Sequence, residues 1–182
     1  MMSKRKREKP SERVGQAMMT FVQQMVAFSQ TDDQAMRQVH TEHYRREVHR
    51  AYDAGFEHSI VWHTLAIWTE EGKERIGYFA NTLRCLEAEK SELAKSVRGL
   101  WTNAHTRAEC LFEIGRVHAA EGDPNVARDF LEQARAFLPI IDIISEGCIE
   151  EGFTPAEDRL EGRIAEVLLQ LPDPEEPGTD PN

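Results

Sequence analysis

The chain has 182 residues, 40% hydrophobic and 30% charged, which allows a sizeable packed core and excludes a disordered polymer. Its net charge of −10 disfavours broad nucleic-acid binding, which needs clustered cations, and suits a neutral or basic protein partner. No apolar stretch approaches the roughly 20 residues that span a bilayer.

The charge is uneven. Six cations (Lys4, Arg5, Lys6, Arg7, Lys9, Arg13) and two acids (Glu8, Glu12) put +4 on residues 1–13 and −14 on the rest of the chain. No aromatic residue interleaves them, so residues 1–10 are expected to be a solvated, flexible terminus. Contact with nucleic acid through this run is the alternative use. Glu, Pro and Ser follow the cations where a secretory signal would have an apolar region, which predicts a cytoplasmic protein. Cys85, Cys110 and Cys148 are far apart and form no CxxC pair, so they read as reduced, buried thiols.

Helical periodicity then runs nearly end to end, predicting an all-α domain over 11–171. Ser11 is placed as the cap of a first helix at 12–29, with Val14, Met18, Phe21, Met25 and Phe28 as its apolar stripe. Thr31, Asp32 and Asp33 open a second helix carrying Met36, Val39, His43, Val48 and Tyr52, and Gly55 ends it. A third, about 57–71, holds Ile60, Trp62, Leu65, Ala66, Ile67 and Trp68. A fourth runs from Lys73 to about Glu89 with Ile76, Phe79, Leu83 and Leu86 on one face. Residues 90–103 are helical in composition, either a separate helix or an extension, with Gly99 as an interruption. A helix at about 104–121 ends at Gly122. The next takes Asp123 as cap and Pro124 as first residue and ends before Pro139. A short apolar helix follows from Ile140 to about Glu151. Thr154-Pro155-Ala156-Glu157 reads as a capping box opening a last helix with Leu160, Ile164, Val167, Leu168 and Leu171. Residues 172–182 read as a disordered acidic tail.

Short turns make antiparallel neighbours, and hairpins of this kind bury their faces only by stacking. Residues 108–141 resemble one tetratricopeptide repeat. Leu111 stands at the large apolar position, Ile114 and Gly115 at the Leu-Gly pair and His118 at the usual Tyr. Ala127 and Ala134 stand at the small positions, Leu131 at the large one, and Pro139 closes the unit. Gly115, Ala127 and Ala134 would let two helices approach closely while Leu111, Ile114 and Leu131 fill the layer. Residues 59–92 match less well, with Gly72 one residue early and Asn81 and Arg84 out of pattern.

The resemblance implies a short stack of hairpins that holds a peptide or helix of another protein, as an adaptor, scaffold or chaperone, with no cofactor or metal. By position it implies a groove of Glu109, Phe112, Arg116 and Ala119, joined by His63, Ile67 and Glu70 from the weaker unit. Phe112 and Arg116 stand where a carboxylate clamp would have Lys and Asn, so recognition of an acidic C-terminal peptide is not implied. Self-association stays open. The alternative chemistry is a metal-dependent helical enzyme using His40 and His43, which share a helix face at a spacing of three. No phosphate-cradling glycine loop and no nucleophile motif is present.

Overall fold

The computed structural model describes residues 9–29, 34–70, 72–89, 95–153 and 159–172, which form eight α-helices and no strand. The chain is therefore all-α. The helices are α1 (Pro10–Ser29), α2 (Gln34–Asp53), α3 (Ser59–Trp68), α4 (Lys73–Ala88), α5 (Val97–Glu121), α6 (Pro124–Ala136), α7 (Leu138–Glu150) and α8 (Leu160–Gln170). Where periodicity reads one domain at 11–171, the chain divides into two compact units, Met1–Cys85 and Leu86–Asn182. Among the described residues no helix is long and apolar enough to cross a membrane.

In the first unit, α1 begins two residues earlier than expected. Pro10 is its first residue, where a missing N–H costs nothing. Ser11 therefore lies inside the helix, and the Glu12 carboxylate accepts from the Lys9 amide at 3.3 Å, half of a capping box. Val14, Phe21 and Met25 are buried as expected, and the Phe28 side chain lies outside the described set. The expected opening of α2 at Thr31–Asp33 also lies outside it.

The buried face of α2 is not the one its apolar residues suggest. Met36, Val39 and Tyr52 are exposed, as is His43, while Thr41, Tyr44, Glu47, Val48 and Ala51 are buried. Local bonds make the polar members tolerable. The Thr41 hydroxyl donates to the Arg37 carbonyl at 2.9 Å, and the Tyr44 hydroxyl donates to the Val61 carbonyl at 3.1 Å. The Tyr44 ring stacks on Phe21 with centroids 4.7 Å apart. Glu47 accepts from Arg13 at 2.6 Å and from Arg50 at 2.7 Å.

Burial pushes the Glu47 carboxyl up, but Arg13 and Arg50 outweigh it and hold the group below its ordinary 4.5. The stabilisation is thus full above pH 4.5 and fades as pH falls through the lower, folded value. Glu47→Gln is expected to cost about 1–2 kcal/mol at neutral pH. The gap between variant and wild type should close in acid. Urea titrations at both conditions check this, and an undiminished gap in acid would contradict it.

Helix α3 buries Val61, Trp62, Leu65 and Ala66 and leaves Ile60 and Ile67 exposed. It starts at Ser59 because His58 caps it, its Nδ1 accepting from the Ile60 amide at 3.2 Å. Trp62 stacks on Tyr78 of α4, with centroids 5.8 Å apart.

In the second unit, α5 absorbs the stretch whose helix assignment sequence leaves open. Ser96 caps it, accepting from the Gly99 amide at 3.1 Å, so Gly99 sits in the first turn and interrupts nothing. The far end is a Schellman motif: the Gly122 amide reaches the Ala119 carbonyl and the Asp123 amide the His118 carbonyl, with Gly122 at φ 85°. The same ending recurs at Gly55-Phe56 and Gly152-Phe153. Asp123 makes no side-chain cap to α6, contrary to expectation, because its carboxylate turns back to His118.

Helices α5 and α6 pack closely. Ala108, Ile114, Ala127, Leu131 and Ala134 are all buried. At Gly115 an added Cβ would stand 2.9 Å from the Leu131 Cγ and 3.1 Å from the Ala127 carbonyl oxygen. Helix α7 opens with Pro139 in its first turn and lies on α5, where the Trp101 indole donates to the Ser145 hydroxyl at 3.0 Å. The capping box expected at 154–157 lies outside the described residues, and α8 is seen from Leu160. All three cysteines are free. Burial first, then Glu57, pushes the Cys85 thiol up to about 11, and burial raises Cys110 as well, so both are protonated packing groups at neutral pH.

Candidate functional site

Of the residues expected to line a groove on α5, Phe112 lies under helix α8. Phe112 is 2% exposed. The Arg163 guanidinium of α8 sits over its ring, 4.4 Å from the centroid. The same guanidinium donates to Glu113 at 2.9 Å, and Arg116 donates to the other oxygen of Glu113 at 3.0 Å. Glu113 is itself buried, so the two arginines satisfy a carboxylate that would otherwise be costly there. Glu109, Arg116 and Ala119 remain partly exposed beside it. Sequence spacing missed Arg163 and Glu113, because nothing along α5 announces that a helix some fifty positions later will cover it.

The opening that results lies between α6 and α8. It is a groove of about 410 Å³ with Leu138, Ile164, Ala165, Leu168 and Leu169 as its apolar lining and Arg128, Arg135, Glu132 and Glu161 at its edges. Leu169 is 85% exposed. The Arg128 guanidinium donates to the Pro172 carbonyl at 2.8 Å, which holds the end of α8 against α6.

The first unit places its three expected residues differently. Ile67, 47% exposed, and Glu70 line one cleft of about 600 Å³ with Arg37, Thr41, Arg45 and Lys73. His63 is not part of that cleft; its ring meets Phe79 edge-on at 6.1 Å. Within the cleft Arg45 pairs with Glu42 at 2.6 Å and with Glu74 at 3.0 Å.

His40 and His43 do line one cleft, of about 380 Å³, with Arg13, Phe21 and Glu47. The carboxylate nearest in role, Glu47, is already held by Arg13 and Arg50. Among the described residues the three-ligand group lies elsewhere, at His118, Glu121 and Asp123, whose ligand atoms fall within 4.8 Å of one another. His118 Nδ1 is 3.5 Å from the Asp123 carboxylate, and its ring stacks on Phe130. The signal for that group was the acidic turn following His118, which reads equally well as an ordinary helix end. No family model, no curated protein and no solved structure matches this chain.

Proposed function

We propose that this chain is a protein-binding module, an adaptor, scaffold or chaperone of tetratricopeptide-like build, and that the groove between α6 and α8 takes a side chain or helix of its partner. The observation that carries the reading is the apolar lining of that groove together with the exposed Leu169. Burying one such leucine contributes about 1.5–3 kcal/mol, and a convergent aliphatic pocket with charged edges is the usual make-up of an interface core and rim. The register of Gly115, Ala127, Leu131 and Ala134 in the α5–α6 hairpin supports the tetratricopeptide-like part of the reading. The expected groove residues Phe112 and Arg116 then serve as support beneath the binding surface, through Glu113 and Arg163.

The test is capture of partners from the native host by the full chain and by Leu169→Glu. Because Leu169 is solvent-facing, the variant should unfold at the wild-type temperature. It should lose its partner by about tenfold or more in affinity, equivalent to roughly 1.4 kcal/mol. Retention of every partner by a folded Leu169→Glu would sink the groove assignment.

A further inference from the structure

Helix α7 carries five isoleucines in thirteen residues and no Lys or Arg. Its inner face is taken up by the fold. Ile141 and Cys148 are buried, Ser145 holds the Trp101 indole, and a Cβ on Gly147 would stand 3.3 Å from Val97. On the outer face Asp142, Glu146 and Glu150 recur every fourth residue, so they form one row along the helix. Ile143 falls on one side of that row and Ile149 on the other, 71% and 62% exposed. None of the three acids has an ion-pair partner among the described residues.

This face is unfavourable as it stands. Like charges four apart on a helix repel, and Glu150 lies at the negative end of the helix dipole. The two isoleucines are left in water. One kind of occupant removes all three costs: a helix with cations set over the acid row and aliphatic residues on either side. A second copy presenting the same face would bring acid against acid, and a phosphate-bearing surface would be repelled likewise. We infer that α7 docks a basic amphipathic helix of another protein, its cations along Asp142, Glu146 and Glu150 and its aliphatic residues on Ile143 and Ile149. This rests on the protein-binding reading but names a surface separate from the α6–α8 groove.

The probe is a synthetic helical peptide with leucines on one face flanked by lysines, titrated into the full chain by fluorescence anisotropy at low and high salt. Its counterpart carries Glu in place of every Lys. The lysine peptide should bind, weaken with salt, and protect 138–150 from amide exchange, and the glutamate peptide should not bind. Ile143→Ser with Ile149→Ser, which keeps every acid, should weaken binding by about tenfold or more, as should the neutral set Asp142→Asn, Glu146→Gln and Glu150→Gln. Leu169→Glu should leave it unchanged. If the isoleucine pair perturbs the circular dichroism, the neutral set decides, since its solvent-facing substitutions relieve repulsion. Wild-type affinity in either folded variant overturns the inference. So does a dimer that the isoleucine variant dissociates, which would make the occupant a second copy. If the peptide fails to bind α7 while Leu169→Glu still loses a native partner, the α7 assignment falls and the protein-binding reading stands.

Discussion

Phe112→Ala is expected to destabilise the second unit by about 3–5 kcal/mol, the usual cost of emptying a buried aromatic site. For a chain of this size that is a fall of roughly 6–20 °C in Tm. The ring is 2% exposed and carries the Arg163 guanidinium 4.4 Å above it. Its removal therefore opens a cavity and strips one partner from an arginine that also holds Glu113 at 2.9 Å. Phe112→Met, which keeps most of the volume, should cost less than about 1.5 kcal/mol. Thermal and urea unfolding followed by circular dichroism distinguish the two variants. If Phe112→Ala melts with the wild type, Phe112 faces solvent and α8 does not cover it. The result also bears on function: partner loss in Phe112→Ala would report unfolding, whereas partner loss in Leu169→Glu would report the groove.

The second large effect is expected at Gly115. A Cβ there would stand 2.9 Å from the Leu131 Cγ, a branch atom of a fully buried side chain, and 3.1 Å from a backbone oxygen of α6. Neither can yield without separating the helices. Gly115→Val adds two further carbons and should cost about 3 kcal/mol or more. Gly115→Ala would gain about 1 kcal/mol of helix propensity, but the clash should outweigh it and leave a net loss. Gly77 supplies the contrast within α4, since a Cβ there meets nothing within 4 Å. Gly77→Ala should therefore stabilise by about 0.5–1 kcal/mol. Urea midpoints of the two alanine variants should move in opposite directions. A stabilising Gly115→Ala would mean that α5 and α6 are not in close contact at that point.

Much of the local structure was legible from residue order alone. Gly55, Gly122 and Gly152 mark helix ends because a left-handed C-cap favours glycine, and all three have positive φ. Pro124 marks a helix start, where a missing N–H is harmless, whereas Pro139, read as closing a unit, lies in the first turn of α7. The small residues of 108–141 announced a close helix pair because only side chains of that size permit one. His58 was legible in principle as a cap, through its position before Ser59, but imidazole is an uncommon choice for that role.

Faces and covers were not legible in the same way. On α2 the apolar residues Met36 and Val39 point to water, while Glu47 is buried, because Arg13 of another helix supplies the charge that makes burial tolerable. On α5 the exposed-looking Phe112 and Arg116 lie under or beside α8, because Arg163 reaches both the ring and Glu113. On α7 the reverse holds, and Ile143 and Ile149 stay open because the fold covers only the other side. Sequence by itself determined where this chain is helical and where it turns, since caps, breakers and periodicity act within a few residues. Only the tertiary structure decided which face each helix buries and which surface is left exposed, because that depends on charges and rings brought in from distant helices.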